Sequence, residues 1–155
     1  MICFVSVQLV LSRASLDRIY EVLETNPDII GADSDLTVAD GSIDFNHVNF
    51  SYTNNADNLT LADIDLHIAS GETVGIIGGT GDGKSSLVQL IPRFYDVLDG
   101  EVVVGGRNVK DYSLFNLREG VSMVLQKNVL LSGTIKENLL WGNEHATDEQ
   151  IAEAC

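Results

Sequence analysis

The sequence predicts an α/β fold in which one helix precedes an antiparallel β subdomain and a core of strand, glycine-rich loop and helix. Three patterns predict it. Apolar residues recur at helical spacing in residues 12–25, alternate with polar residues between residues 42 and 68, and form a short run that enters the glycine-rich residues 78–86. The 155 residues, 45% of them hydrophobic, suit one domain or part of a larger one.

The N-terminal segment is predicted to be helical up to Thr25. Residues 12–25 carry apolar side chains at i, i+3, i+4 and i+7, and Pro27 disfavours helical geometry at the residue before it. The four apolar positions are Leu16, Ile19, Tyr20 and Leu23. Residues 1–11 are apolar but shorter than the roughly 20 residues that cross a bilayer. They are either the start of a buried helix or the end of a transmembrane helix. Residues 27–41 contain four aspartates and form a predicted linker.

Alternation of apolar and polar residues predicts two strands that pair antiparallel. Residues 42–52 alternate with an irregularity near Asn46 and His47, and residues 61–68 alternate as LADIDLHI. A polar loop, residues 53–58, joins the two strands.

The core is predicted to start with a short buried strand, Thr73–Ile77. The glycine-rich loop follows, and then a helix that ends at Pro92. Two further strands are predicted at Glu101–Val104 and Val121–Leu125, and a short helix at Ser132–Leu140.

A last helix is predicted to begin near the end of the sequence. Thr147-Asp-Glu-Gln150 has the form of a capping box, in which the first and fourth side chains satisfy backbone amides reciprocally. Since the sequence stops soon after this start, we expect residues 42–155 to be the N-terminal part of an incomplete domain.

The charge balance excludes one class of partner. The chain has 9 basic and 23 acidic residues and a net charge of −14. A protein that binds nucleic acid non-specifically needs a basic surface to displace counterions from phosphates. We therefore expect no nucleic-acid partner.

The strongest chemical signal is the glycine-rich loop, which matches G-x-x-x-x-G-K-[ST] over Gly78–Ser85. Glycines let the backbone curl so that successive N–H groups form an anion-binding nest, and a lysine can reach the β- and γ-phosphates. A serine hydroxyl can serve Mg²⁺, which uses few protein ligands. The candidate nucleotide-binding residues of the loop are Gly78, Gly79, Thr80, Gly81, Asp82, Gly83, Lys84, Ser85 and Ser86.

Asp82 is the unfavourable residue of this loop. Its negative charge lies close to where phosphates would bind. We expect it to weaken binding unless its carboxylate points to solvent or to a basic neighbour.

The run of motifs resembles the nucleotide-binding domain of ABC exporters, the multidrug and lipid-export type. The loop is similar to the family's GxTGSGKSS phosphate loop, and Arg93-Phe-Tyr-Asp96 and Asp99-Gly-Glu101 are similar to the segment after it. Val124-Leu-Gln126 and Leu131–Leu139 (LSGTIKENL) resemble the Q-loop region. On this resemblance, residues 1–26 are the end of the last transmembrane helix with a connecting helix, 27–41 a linker, and 42–155 the N-terminal part of the domain.

The resemblance also implies roles for two residues outside the loop. Tyr52 would stack on adenine; the ordinary alternative is a tyrosine that packs at a strand end. Gln126 would contact Mg²⁺ and the attacking water; the ordinary alternative is a surface residue. The metal ligands implied are therefore Ser85 and Gln126.

Three positions and one region depart from the family pattern. Asp82 replaces a serine, Leu125 a proline, and Leu131 a phenylalanine. No LSGGQ-type signature, apolar run ending in Asp-Glu, or switch histidine occurs before Cys155. We expect no catalytic residue in this sequence, and an ATPase only in the full-length protein.

The function that the resemblance implies is ATP binding and hydrolysis that drives export across a membrane, with ATP and Mg²⁺ as ligands. The partners would be a second nucleotide-binding domain and a transmembrane domain, with this domain on the cytoplasmic face. Three alternatives stay open: a soluble ABC ATPase that transports nothing, another P-loop enzyme such as a nucleotide kinase, and a remnant that no longer binds ATP.

Overall fold

A computed structural model of the chain describes residues 13, 15–125, 127 and 129–154. The apolar residues 1–11 and the candidate ligand Gln126 lie outside this set. The chain divides into two compact units, Met1–Val121 and Ser122–Cys155.

A four-stranded antiparallel sheet organises the first unit. Helix α1 spans residues 15–24. The elements that follow it in this unit are β1 (Ile43–Phe50), β2 (Leu61–Ile68), α2 (Lys84–Leu90), β3 (Asp99–Val104), β4 (Arg107–Asn108), a 3-10 helix (Val109–Asp111) and α3 (Leu114–Glu119). The strand order in the sheet is β2-β1-β3-β4.

The predicted pairing of β1 with β2 is confirmed, and so is the irregularity within β1. The β1–β2 register shifts between Phe45 and Val48, and His47 has a left-handed φ of 50°. Gly100 of β3 lies against this irregularity, and a Cβ placed on it would come within 2.4 Å of the carbonyl oxygens of Asn46 and His47. Only glycine fits here, since its φ is 77° and the opposing backbone leaves no room.

Apolar side chains of the sheet and of the elements packed on it form the core of this unit. Leu90 places helix α2 in this core, and the hydroxyl of the fully buried Tyr112 donates to the Val104 carbonyl oxygen at 2.8 Å. The buried apolar residues are Phe45, Val48, Phe50, Leu61, Leu90, Val102, Val104, Val109, Tyr112 and Leu117. The helix that follows the glycine-rich loop is therefore held by the sheet.

Helix α1 confirms the predicted helix and its end before Pro27. Its apolar positions Leu16, Ile19, Tyr20 and Leu23 are all exposed. Among the described helices, none combines the length and apolar character needed to cross a membrane.

Two predicted strands are wrong. Thr73–Ile77 has no regular secondary structure and is not buried, and Ile77 is 98% exposed. Val121–Leu125 is likewise not a strand. A strand exists only beside another strand that takes up its backbone hydrogen bonds, and no described segment pairs with either run.

The described residues of the second unit form two short helices, α4 (Ile135–Leu140) and α5 (Asp148–Glu153). Both predicted helices are confirmed, although the first starts after Ser132 and Gly133. Thr134 and Glu137 form a capping box on α4, and Thr147 and Gln150 form the predicted one on α5.

Candidate nucleotide-binding site

The glycine-rich loop curls through two left-handed glycines before it enters helix α2. Gly81 has a φ of 93° and Gly83 a φ of 80°, values that L side chains rarely adopt. Helix α2 starts at Lys84, and the Leu87 amide donates to the Gly83 carbonyl oxygen at 2.9 Å. The loop residues up to Asp82 are exposed. The predicted curl at these glycines and the predicted helix after them are both present.

The β subdomain determines where this helix begins. A Cβ on Gly83 would lie 2.7 Å from Leu61 Cδ2 and 3.2 Å from the Thr60 carbonyl oxygen. The Thr60 amide in turn donates to the Phe50 carbonyl oxygen at 2.7 Å. Close contact at Gly83 therefore places the loop against the first residues of β2, where a larger residue would not fit.

Lys84, the first residue of α2, folds back over the loop. Its Nζ donates to the Gly78 carbonyl oxygen at 2.8 Å and also to the Gly79 carbonyl oxygen. The ammonium group is thus held against the loop backbone by two carbonyl oxygens. A bound anion would be a stronger partner for it than these neutral acceptors.

The side chain of Asp82 is bound to the backbone of its own loop. Its carboxylate turns back onto the loop, where Oδ2 accepts a hydrogen bond from the Gly79 amide, although the residue itself is exposed. The expectation that Asp82 weakens phosphate binding stays a prediction. An anionic side chain can satisfy an amide that has no secondary-structure partner, and Gly79 offers one.

Tyr52 lies beside helix α2 and is tied to it. Its hydroxyl is 2.8 Å from Ser86 Oγ and donates to Gln89 Oε1 at 3.2 Å. The ring is 52% exposed and makes an edge contact with Tyr95, the ring centroids being 5.0 Å apart. Its edge also meets Phe50, with centroids 4.8 Å apart. This geometry joins the predicted adenine-binding residue to Ser86 of the phosphate loop and leaves part of the ring exposed.

Gln89 and Tyr95 were not predicted from the sequence. Gln89 is three residues after Ser86, so the two share one face of α2. This spacing is the sequence feature that could have indicated Gln89 as a neighbour of the site. Tyr95 lies in the family-like segment Arg93–Asp96, but only the folded chain brings it to Tyr52.

The segment after α2 is held by a buried arginine. Arg93 is 6% exposed, and its guanidinium donates to both oxygens of Asp96 at 2.7 and 3.1 Å and to the Ile30 carbonyl oxygen at 3.3 Å. These hydrogen bonds hold the pKa of Asp96 below its ordinary value, against the opposing effect of partial burial. Arg118 donates to the carbonyl oxygens of Pro92 and Arg93. The chain leaving α2 is therefore fastened to α3.

Ser85 is exposed on the first turn of α2, next to Lys84. Its hydroxyl is an oxygen donor of the kind that Mg²⁺ accepts, and Mg²⁺ uses few protein ligands. The Ser85 hydroxyl therefore suits the metal that the motif implies. The second implied ligand, Gln126, is not among the described residues.

Comparison with known proteins shows the family. Residues 61–155 match the ABC transporter family model. Because this match covers more than half of the sequence, the chain belongs to the ABC transporter family. Its fold is that of an ABC ATPase domain, a P-loop NTPase fold with an antiparallel β subdomain.

Individual relatives are similar along most of this chain. Two are multidrug export ATP-binding/permease proteins of Staphylococcus aureus, strains NCTC 8325 / PS 47 and COL. Each is 44% identical over 140 residues, which are 88% of this chain and 24% of the relative. A solved structure of a bacterial Atm1-family ABC exporter with ATP bound matches with a TM-score of 0.85 and 26% identity, over 94% of this chain and 26% of the exporter. The chain thus spans about a quarter of the length of the relatives it matches.

Proposed function

We propose that this chain binds ATP through the loop Gly78–Ser86. In the whole protein, hydrolysis of that ATP would drive export of a substrate across a membrane. The observation that carries the proposal is the pair of left-handed glycines followed at once by Lys84, whose ammonium lies against the loop backbone. Membership of the ABC transporter family and the likeness to exporters support the transport role.

The groups of this site have distinct parts in the proposed binding. The backbone amides and the ammonium of Lys84 bind the phosphate oxygens, and the Ser85 hydroxyl holds Mg²⁺. When bound, Mg²⁺ neutralises charge that builds up on the phosphates during transfer. Ser86 and Tyr52, already in contact through their hydroxyl groups, bind on the nucleoside side, where the exposed ring of Tyr52 stacks on adenine. Gln126 is proposed as the second Mg²⁺ ligand, on the resemblance alone.

We propose that these 155 residues bind nucleotide without hydrolysing it at a useful rate. Phosphoryl transfer to water depends on positioning and on charge neutralisation. The sequence contains the phosphate loop but no LSGGQ-type signature and no apolar run ending in Asp-Glu. The ATPase activity is therefore proposed for the whole protein.

The whole protein is proposed to work as a pair of nucleotide-binding domains joined to transmembrane domains, with this domain on the cytoplasmic face. ATP held between two domains would favour their closed arrangement, because a ligand shifts an equilibrium towards the state that binds it better. The division into residues 1–26, 27–41 and 42–155 stays a prediction.

The experiment that tests nucleotide binding is isothermal titration calorimetry, in which MgATP is added to the purified chain. Lys84→Ala is expected to weaken binding about tenfold or more, as loss of a charge-assisted contact predicts. Lys110→Ala is the matched control, because Lys110 is an exposed lysine in the 3-10 helix, outside the loop. Saturable binding that Lys84→Ala weakens and Lys110→Ala does not is expected. Equal affinity of all three proteins would contradict the proposal.

A further inference from the structure

The phosphate loop carries two charged side chains, and both are bound to its own backbone. The Asp82 carboxylate accepts a hydrogen bond from the Gly79 amide, and the Lys84 ammonium donates to the carbonyl oxygens of Gly78 and Gly79. The groups that would serve a polyphosphate, an amide and an ammonium, are therefore already engaged inside the loop.

The Asp82 carboxylate also lies close to the first two glycines of the loop. A Cβ on Gly78 would lie 2.9 Å from Asp82 Oδ2, and a Cβ on Gly79 would lie 3.2 Å from the same oxygen. No closer atom meets either position. The carboxylate thus lies directly against the first two glycines of the loop.

We infer that Asp82 acts as an internal competitor for the phosphate tail, so that this one side chain lowers the affinity of the loop for polyphosphate. A phosphate oxygen that takes the Gly79 amide must first displace the carboxylate, and the displaced carboxylate remains nearby as a like charge. The inference rests on the proposed function, because it concerns the same loop and the same ligand class.

The size of the effect follows mainly from charge. Two like charges about 4 Å apart in a water-like medium change a binding constant by about sixfold. The triphosphate tail carries more than one charge, and the lost amide contact adds to the penalty. Removal of the Asp82 charge should therefore tighten binding by about tenfold.

Two substitutions remove the charge of the Asp82 side chain. Asp82→Asn keeps the shape and an acceptor oxygen but removes the charge, and Asp82→Ser shortens the side chain and removes the charge. Asp111→Asn is the matched control, since Asp111 is an exposed aspartate in the 3-10 helix, outside the loop. The melting temperature of each variant shows whether it is folded, and either Asp82 variant alone suffices for the test.

The test is calorimetric titration of the chain and its variants with three probes: MgATP, inorganic tripolyphosphate and adenosine. The expected result is a dissociation constant about tenfold lower for MgATP and for tripolyphosphate in the Asp82 variants. The constant for adenosine should be unchanged, and Asp111→Asn should behave like the original chain.

Two results would overturn the inference and leave the proposed function intact: MgATP binding by folded Asp82 variants that is equal to or weaker than that of the original chain, or an equal gain for adenosine. If neither the original chain nor any variant bound MgATP or tripolyphosphate, the proposed function would fail, and the inference with it. Binding by an Asp82 variant where the original chain binds nothing measurable would support both.

Discussion

Replacing Asp96 with alanine removes the two hydrogen bonds that neutralise the guanidinium of Arg93. That guanidinium is attached to a side chain only 7% exposed, and the carbonyl oxygen of Ile30, at 3.3 Å, would be its one remaining acceptor among the described residues. Arg93 also has a left-handed φ of 52°, so its backbone depends on the surrounding contacts. The substitution should therefore loosen the segment that connects α2 to β3.

The magnitude can be estimated from these contacts. Breaking a fully buried ion pair costs about 3–5 kcal/mol, because one charge is left without a partner. Asp96 is 35% exposed, so water can replace part of what is lost. We expect Asp96→Ala to lower the free energy of unfolding by about 2–3 kcal/mol. With a urea m-value of about 2 kcal/mol/M, the midpoint should fall by about 1–1.5 M.

The assay is urea unfolding followed by far-UV circular dichroism, with Asp111→Asn as the control for loss of one exposed carboxylate. The loss in free energy of unfolding caused by Asp96→Ala should also depend on pH. Because the pKa of Asp96 is lowered in the folded chain, its stabilisation is fully present above the ordinary aspartate value of about 3.9 and is lost as pH falls through the lowered value. A midpoint for Asp96→Ala equal to that of Asp111→Asn at pH 7 would refute the reasoning.

Three further substitutions have defined outcomes. His67→Gln should reduce stability at pH 5.5 and have little effect at pH 9, which urea midpoints at the two pH values check. The reason is that pairing with Asp44 raises the pKa of His67, so the stabilisation from this pair is lost as pH rises through the raised pKa. Gly83→Ala should lower the melting temperature and cost about 2–3 kcal/mol, since a left-handed φ and a contact with Leu61 both oppose a side chain. Tyr52→Phe should weaken MgATP binding about threefold to tenfold by losing the hydroxyl contacts that orient the ring, and leave tripolyphosphate binding nearly unchanged in calorimetry.

The elements that the sequence predicted correctly depend on short-range patterns. Alternation placed β1 and β2, and the break in that alternation located the irregularity at Asn46 and His47. The capping box at Thr147 predicted the start of α5 to the residue. These features are decided by neighbours along the chain, so the local sequence is sufficient to predict them.

The errors and omissions concern contacts between distant residues. Thr73–Ile77 has the composition of a buried strand, but a strand needs a neighbouring strand, and composition cannot supply one. The contact of Tyr52 with Ser86 spans 34 positions and exists only because β1 places the loop after it next to α2. The rotamer that turns Asp82 towards Gly79 is likewise a property of the folded loop.

The measurement that decides whether this loop binds nucleotide is an amide-resolved NMR titration of the ¹⁵N-labelled chain with MgATP. If the loop binds the triphosphate, the amide signals of Gly79, Gly81 and Gly83 should shift in saturable fashion, with Tyr52 shifting when ATP but not tripolyphosphate is added. Amide signals from Gly78 to Ser86 that stay unchanged up to millimolar MgATP, in a folded chain, would contradict the assignment of this loop as the phosphate site.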